Sequence, residues 1–374
     1  MWLICTALAT IGCVYALFAA ACLGAWRDRF AGRSPGAAGH GELVSILKPL
    51  CGAEPRLREN LASLACQDYG GAFEVLLGVA AADDPAVAIA AELLSERFER
   101  PYRLIIDSTT CGPNRKVANL ANMAHRAKGE IIVAADSDIG VSPEYLSRVV
   151  AALSAPGVGA VTCLYRGQPA AGLWSRLAAM AIAHHFLPGV VVALRLGVAA
   201  PCFGSTIALR REMLVRIGGF EAFAAYLADD YAIGAAVRRL GFAVEVPKIV
   251  VDHTCSEASF AELIAHELRW ARTVRRVAPW GFAGTVATHP LAFALLSLLW
   301  APGAFSLVLI LAALACRFTL QIQADRMLGR RVGQAQWGPV RDLLSFAVFL
   351  ASFWPGEVAW RGRRHRLRRD GTLA

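Results

Sequence analysis

The sequence lacks a Cys-x-x-Cys pair, although ten cysteines are spread through its 374 residues. Scattered thiols argue against a zinc ribbon and a small disulfide framework, and they predict reduced cysteines in a cytosol-facing protein. No Gly-x-Gly-x-x-Gly follows the first apolar strand, so a dinucleotide-binding Rossmann domain is not supported. Trp270 stands where a zinc protease helix that begins with His266-Glu267 would carry its second histidine. These absences exclude several common enzyme classes.

Charged residues are also scarce: they make up 18% of the chain, against 56% hydrophobic residues. The net charge of +9 comes largely from arginines beside apolar runs, at 27–33, 326–331 and 361–369. This pattern predicts cytoplasmic flanks of membrane segments and contact with anionic lipids. The clusters lack interleaved aromatic residues, which argues against a nucleic-acid partner.

Long apolar runs at both ends divide the chain. Residues 1–25 predict a transmembrane anchor, because the basic cluster follows the run, whereas it would precede the run in a cleaved signal peptide. That charge order places the following domain in the cytoplasm, and the further apolar runs predict a multi-pass membrane protein. The remaining predicted segments are a linker at 26–41, an α/β domain at 42–282, one or two transmembrane segments at 283–320, a basic loop at 321–340, a re-entrant or surface-lying membrane segment at 341–358 and a basic tail at 359–374.

The α/β domain is predicted from strands that alternate with helices. Predicted strands are 43–47, 73–79, 102–106 and 131–135, and predicted helices are 55–66, 86–98 and 114–127. Such alternation favours a mostly parallel sheet with helices on both faces. The later apolar stretch 173–198 is interrupted by Pro188 and Gly189, and both a membrane-lying element and a buried core helix are consistent with it.

Asp136-Ser137-Asp138 ends the apolar strand at 131–135. Two carboxylates at the carboxyl end of a strand lie where α/β sheets bind ligands. Hard carboxylate oxygens suit Mg²⁺ or Mn²⁺, and such ions commonly bridge a protein to substrate phosphates. An isolated Asp-x-Asp is also found as a pair of solvated loop residues, so the other polar motifs decide between the two interpretations.

Two further motifs follow predicted strands. Asp83-Asp84-Pro85 offers a carboxylate for a nucleobase or ribose, and it is also a typical helix start in which an aspartate caps the first turn. The segment 112–116, which ends in Arg115-Lys116, places two cations at a helix N-terminus and predicts an anion site, unless it is an ordinary exposed turn.

Two motifs lie in the second half of the domain. Asp229-Asp230 opens a helix, where the macrodipole favours acidic residues and where a carboxylate can serve as a general base. Arg269-Trp270 lies on a basic helix: arginine suits a pyrophosphate, and tryptophan suits an apolar acceptor. A basic helix at the membrane interface is the alternative interpretation.

With these motifs in this order, the chain resembles lipid-modifying glycosyltransferases of the GT-A fold. It is similar to the ceramide glucosyltransferase family, and in particular to its bacterial branch of hopanoid-biosynthesis glycosyltransferases. The resemblance covers about residues 42–290 and the flanking membrane segments, and the phrases that carry it are VSILKPL at 44–50, DDPA at 83–86, NRKVANL at 114–120, DSDI at 136–139, VTCLYRG at 161–167, DDY at 229–231 and HELRWART at 266–273. The chain departs from the family pattern at His266, where the family has Gln or Arg.

The resemblance implies an inverting transfer from a UDP-sugar to a lipid hydroxyl, by a multi-pass protein of a bacterial inner (cytoplasmic) membrane. The implied roles are a divalent cation (Mg²⁺ or Mn²⁺) on Asp138 and Asp136, diphosphate contacts from Arg269 and Lys116, a uridine contact from Asp83, a general base at Asp230 and an acceptor wall at Trp270 and residues 173–198. The implied products are N-acetylglucosamine or glucose on a hopanoid polyol, with glucosylceramide as the alternative. A processive polysaccharide synthase and a sugar-nucleotide-binding membrane protein without catalysis remain as rival interpretations.

Overall fold

The computed structural model describes residues 1–30, 41–95 and 102–354, together with 356, 358–360, 363–365 and 372–373. Residues 31–40 of the linker predicted at 26–41 and most of the basic tail predicted at 359–374 therefore lie outside the described residues. The helices are α1 (Trp2–Phe30), α2 (Leu57–Ala62), α3 (Pro85–Ser95), α4 (Arg115–Arg126), α5 (Tyr145–Leu153), α6 (Leu173–Ala181), α7 (Leu187–Arg195), α8 (Arg211–Arg216), α9 (Asp229–Arg239), α10 (Phe260–Val277), α11 (Pro279–Gly284), α12 (Pro290–Trp300), α13 (Ala304–Leu328) and α14 (Gly338–Ala351).

The strands form a large sheet and two small ones. They are β1 (Val44–Pro49), β2 (Phe73–Val79), β3 (Tyr102–Ile106), β4 (Ile131–Ala134), β5 (Ile139–Gly140), β6 (Val158–Val161), β7 (Leu164–Pro169), β8 (Ile207–Arg210), β9 (Ala243–Glu245), β10 (Val250–Cys255), β11 (Val358–Trp360) and β12 (Arg363–His365). The large sheet has the order β3-β2-β1-β4-β8-β6-β9, and β8 is antiparallel to both of its neighbours. The prediction of a mostly parallel α/β sheet is confirmed.

The central strands explain why this sheet forms. Every residue of β1 and β2 is buried, as expected for strands that are covered by helices on both faces. Predicted and observed bounds coincide for β2 and β3, whereas the helix predicted at 55–66 shortens to α2. The smaller sheet β5-β10-β7 lies beyond the end of β4, because Ile139 in β5 pairs with His253 in β10. This second sheet places β10 beside the Asp-x-Asp turn.

The N-terminal helix α1 is longer than predicted and continues to Phe30, so the linker does not begin at residue 26. Arg27 extends the helix because arginine has good helix propensity and needs no apolar surroundings. Its 29 residues span about 44 Å, more than the ~30 Å of a bilayer core. At Gly12 the helix approaches α12 so closely that a Cβ would lie 2.9 Å from Pro290 Cβ.

Within the described residues, three helical segments are long and apolar enough to cross a membrane: Trp2–Asp28, Leu173–Arg195 and Ala304–Leu328. The pair Pro279–Thr288 and Pro290–Trp300, bent by 62°, would provide a fourth crossing. Large apolar side chains on α1 and α13 are exposed, among them Leu3, Val14, Val308 and Leu311. Exposed apolar surface of this extent is typical of lipid contact.

The segment Leu173–Arg195 is one continuous helical unit and not an interrupted element. A π-helical turn at Ile182–Phe186 joins α6 to α7, and Pro188 fits directly after it. Pro188 has no N–H for the carbonyl of His184, and that carbonyl instead accepts a hydrogen bond from Arg317 at 3.1 Å. The segment is 61% buried within the protein, against 33% for Ala304–Leu328, which favours the core-helix alternative.

The C-terminal helices differ from the predicted segments in their bounds. Residues 283–320 contain the predicted break, with α12 and α13 separated at 301–303, but α13 continues to Leu328. The basic loop at 321–340 is therefore partly helical. The 14 residues of α14 span about 21 Å, less than the ~30 Å bilayer core, which suits the predicted re-entrant or surface-lying segment.

Candidate active site

The Asp-x-Asp turn follows β4, the strand beside β1 in the large sheet. Lys48 of β1 is fully buried, and its ammonium donates to the carbonyls of Asp136 at 2.6 Å and Ile139 at 2.8 Å. Burial lowers the pKa of Lys48 to about 8. Ser137 points the other way and donates to Glu54 at 2.5 Å. The turn is thus fixed from both sides, with each aspartate side chain left one-third exposed at the sheet edge.

Lys116, one of the two cations of the anion site predicted at 112–116, lies beside two carboxylates. Its ammonium lies 2.7 Å from Asp136 and 3.4 Å from Asp229, and its side chain is only 13% exposed. Burial opposes its charge, but the neighbouring carboxylates outweigh this effect and hold the pKa of Lys116 above its usual range. The position of Lys116 follows from the start of α4. The Asn114 side chain accepts a hydrogen bond from the Val117 N–H and caps the first turn of this helix. Lys116 therefore joins carboxylates from two parts of the chain.

Asp229 and Asp230 open α9 as predicted, but their surroundings differ. Asp229 is buried at 4% exposure and pairs with Lys116. Asp230 is partly exposed and accepts hydrogen bonds from the Gly204 N–H at 2.9 Å and the Tyr231 N–H at 2.7 Å. Burial, and then the charge of Asp229, raise the pKa of Asp230 to about 6. Asp230 thus has the accessibility and the basicity of a proton acceptor near neutral pH.

Gly204 connects the two acidic motifs. Its carbonyl accepts from the Asp136 N–H at 3.2 Å, while its own N–H donates to Asp230. A Cβ at this position would lie 2.7 Å from Asp136 Oδ2 and 3.1 Å from Lys116 Nζ, so the close approach requires glycine. The structure therefore brings Asp136, Asp138 and Asp230 to one site.

Asp138 fits a divalent cation. Its Oδ2 lies 3.5 Å from His253 Nδ1, and its Oδ1 is buried without a hydrogen-bond partner among the described residues. Burial would raise the pKa of Asp138, but His253 outweighs it and brings the value to about 2. No cluster of three or more His, Cys, Asp or Glu side chains in the described part of the chain has metal-site geometry. A protein that supplies one or two carboxylates leaves the remaining positions to water and substrate phosphates, as Mg²⁺ sites commonly do.

Asp83 and Asp84 divide the two roles predicted for them. Asp84 Oδ1 accepts from the Ala86 N–H at 2.9 Å and from the Gly52 N–H at 2.8 Å, so it caps α3 and anchors the turn after β1. Asp83 is exposed. It follows β2, which is separated from β4 by β1 alone, at the same edge of the parallel strands. Asp83 is therefore placed for the predicted nucleoside contact, which remains a proposal.

Trp270 reaches the acidic site through an aromatic cluster. Its ring centroid lies 5.8 Å from that of His253 and 6.4 Å from that of Tyr165. The Tyr165 ring stacks on Phe186 at 4.9 Å, and Phe186 belongs to the π-helical turn. Arg269, one residue earlier on α10, is half-buried. The cluster forms a continuous wall from Asp138 to the apolar helices.

Phe186 and Trp270 of this wall also line a pocket, and we call it the acceptor pocket. Its cavity volume is about 70 Å³. Its lining residues are Ala178, Ala181, Ile182, Phe186, Glu257, His266, Glu267 and Trp270. One face is thus apolar and comes from α6 and the π-helical turn, while the other carries two carboxylates and a histidine. Such a pocket suits an amphipathic ligand.

Several residues of the site were not predicted. Lys48 and His253 lie on strands, and a lone cation in an apolar strand is the signal that could have drawn attention to Lys48. Glu257 Oε1 is hydrogen-bonded to His266 Nδ1 at 2.5 Å. Arg341 of α14 donates a hydrogen bond to Glu267 Oε1 at 2.6 Å. The partners in these pairs are between 9 and 115 residues apart, so sequence spacing alone does not reveal them.

The sheet order, the carboxylates after β4 and the Asp pair that opens α9 define a nucleotide-sugar transferase domain of the GT-A class. Comparison with known proteins agrees at the level of the family: the profile of Glycosyl transferase family 21 matches residues 4–373. The chain belongs to Glycosyl transferase family 21. The resemblance stated from the motifs is therefore confirmed for the family, and the finer assignments are taken up below.

Individual relatives are distant. Ceramide glucosyltransferase 1 of Caenorhabditis elegans is 24% identical over 53% of this chain and 42% of its own length. An N-acetylglucosaminyltransferase of Rhizobium leguminosarum bv. viciae is 22% identical over 62% of this chain and 56% of its own length. The chain thus spans about half the length of these curated relatives. Among solved structures, mannosyltransferase PcManGT from Pyrobaculum calidifontis, in complex with GDP-Man and Mn²⁺, has a TM-score of 0.48 at 19% identity, with 94% of this chain and 99% of that chain covered.

Proposed function

We propose that this protein is a membrane-bound inverting glycosyltransferase that moves a sugar from a UDP-sugar to a lipid hydroxyl. One observation carries the proposal: the aromatic cluster joins the acidic site to the acceptor pocket, and one face of that pocket is a segment apolar enough to span a membrane. A lipid leaves the bilayer at a cost of about 0.8 kcal/mol per CH₂ group. A transferase for lipids therefore gains from a pocket built on such helices.

The donor occupies the edge of the large sheet in this proposal. Asp83 holds the uridine, and the half-buried Arg269 contacts the diphosphate, with Lys116 close by at Asp136. Asp138 and Asp136 would hold Mg²⁺ or Mn²⁺, which when bound neutralises negative charge on the leaving diphosphate. Asp138 Oδ1 is buried and has no hydrogen-bond partner among the described residues, which supports this assignment.

Asp230 is the general base of the proposed reaction. Its carboxylate takes the proton of the acceptor hydroxyl while the hydroxyl oxygen attacks the anomeric carbon and the bond to UDP breaks. A single displacement inverts that carbon, so an α-linked donor gives a β-linked product. Asp229 is unsuited to this role because it is buried and paired with Lys116. Instead it raises the basicity of its neighbour.

The proposed sugar and acceptor rest on two kinds of evidence. N-acetylglucosamine or glucose on a hopanoid polyol follows from the motif resemblance, with ceramide as the alternative acceptor. The names of several relatives favour ceramide, including a Komagataella phaffii ceramide glucosyltransferase that is 33% identical over 30% of this chain. Catalysis in the cytoplasm is proposed from the basic flanks of α1 and α13.

Product mass spectrometry tests the proposal. The purified full-length protein is incubated with UDP-glucose, UDP-N-acetylglucosamine or UDP-galactose, each with ceramide or a hopanoid polyol. We expect one glycolipid, together with UDP release that requires the lipid. The Asp230→Asn variant is the matched negative control. Donor binding without any lipid-dependent UDP release would favour the non-catalytic rival, and a polymer product would favour a polysaccharide synthase.

A further inference from the structure

Glu257 is a buried carboxylate in the acceptor pocket. It lies two residues after β10 and is 5% exposed. Its Oε1 is hydrogen-bonded to His266 Nδ1 at 2.5 Å. Its Oε2 is buried and has no hydrogen-bond partner among the residues that the structure describes. One strong acceptor atom beside the pocket is thus unused by the protein.

The second carboxylate of the pocket is different. Glu267 Oε1 and Oε2 accept from the two terminal nitrogens of Arg341, at 2.6 and 2.8 Å. Arg341 is itself fully buried, so both carboxylate oxygens of Glu267 already have a buried hydrogen-bond donor. Buried polar atoms nearly always have a partner, because an unpaired one loses its hydration without compensation. Glu257 Oε2 therefore points to a donor from outside the described residues.

We propose, on the basis of the proposed function, that Glu257 determines acceptor specificity by binding a second hydrogen-bond donor of the lipid. This donor is an N–H or O–H group that lies close to the hydroxyl that receives the sugar. The apolar face of the pocket, with Ala178, Ile182 and Phe186, holds the adjoining alkyl part. Lipids with one hydroxyl and no neighbouring donor leave Glu257 Oε2 unpaired and react poorly.

Matched lipid pairs test this inference in the full-length protein in detergent micelles. One pair is a long-chain N-acyl-2-aminoalkan-1-ol, which lacks the 3-hydroxyl of ceramide, and its N-methyl amide; the other is a long-chain 1,2-diol and the corresponding primary alcohol. The readout is the ratio of kcat/KM within the pair that the enzyme uses. We expect the wild-type protein to prefer the two-donor lipid by about tenfold or more, since a site with an unpaired buried group discriminates strongly.

Two substitutions separate this contact from general damage. Glu257→Leu removes the acceptor atom, and the preference should fall to about one. Glu257→Gln retains a neutral acceptor and should give an intermediate ratio, because hydrogen bonds to charged groups are stronger. Glu245→Gln, at an exposed position of β9, is the matched control and should keep the wild-type ratio. Thermal unfolding identifies any variant that does not fold.

The outcomes are distinct. An unchanged preference in folded Glu257→Leu overturns the inference, and so does equal use of both lipids by the wild-type protein. If the leucine variant does not fold, the glutamine variant decides: a ratio at least about threefold lower supports the inference, and an unchanged ratio overturns it. Failure of the wild-type protein to glycosylate any lipid would instead contradict the proposed function itself.

Discussion

Replacing Asp230 with Asn tests the proposed base most directly. The substitution preserves size and removes the charge. The Asn side chain can still accept from one of the two N–H groups, of Gly204 or Tyr231, that the carboxylate now binds. The other N–H would face an amide NH₂. The site keeps its shape but loses the group that takes the proton.

The expected loss follows from the value of general base catalysis. A positioned base contributes about 10²–10⁴-fold to the rate, so kcat should fall by that factor while KM for the UDP-sugar stays near its wild-type value. In the wild-type protein the rate should rise with pH until Asp230 is ionised, with an acid limb near its pKa of about 6. The Asp230→Asn profile should have no such limb.

The same pKa makes a prediction for stability. Its value in the folded protein, about 6, lies above the usual 3.8, so the folded state binds the proton more tightly than the unfolded state does. This group's contribution to stability is therefore largest at low pH and declines as the pH rises from about 4 to 6. Asn is neutral throughout, so the variant should lack that decline in thermal unfolding measurements.

Asp229→Asn is the matched control for this experiment. Removing the charge of Asp229 takes away one cause of the raised pKa, so the acid limb should move below 6 and remain visible. Steady-state UDP release, measured from pH 4.5 to 8.5 at saturating lipid, gives both profiles. Near-normal turnover of Asp230→Asn, or an unchanged acid limb in it, would refute the assignment of the base.

Three further predictions concern the cation, the ion pairs of Lys116 and the ion pair beside the acceptor pocket. A chelator should abolish transfer, and Mn²⁺ or Mg²⁺ should restore it; Asp138→Asn should raise the cation concentration required, while full activity in chelator would contradict a cation role. Lys116→Met should destabilise the protein by about 3–5 kcal/mol, because it leaves the buried Asp229 carboxylate unpaired, whereas Lys116→Arg should cost less in thermal unfolding. Arg341→Met should destabilise by a similar amount of about 3–5 kcal/mol, and adding Glu267→Leu should recover most of it; equal instability of the double variant would argue against a buried ion pair.

Much of the fold was predictable because its signals are local. Strands β2 and β3 were placed at their observed bounds by apolar runs that end at turn residues. The position of Asp136 at a sheet edge followed from the strand before it. Helix ends were less predictable: α1 passes through Arg27 and Asp28 because hydropathy marks where a helix meets lipid and does not mark where the helix stops.

The candidate site was predictable only where single motifs carry it. Asp230 and Asp138 were identified from short acidic motifs, but their partners Gly204 and His253 are contributed by distant segments. Pro188 was mistaken for a helix break because the sequence does not show that Arg317 bonds the carbonyl left without its N–H partner. Such compensation depends on tertiary contacts.

The bond between Arg341 and Glu267 sets a limit on how the protein can be divided. The carboxylate belongs to α10 of the catalytic half, while its counter-ion comes from α14, 74 residues later. A soluble fragment cut before α14 would retain the acid and lose the guanidinium that neutralises it. We therefore expect that the α/β half of the chain is not a portable module, because α14 supplies the counter-ion of a carboxylate that lines the acceptor pocket.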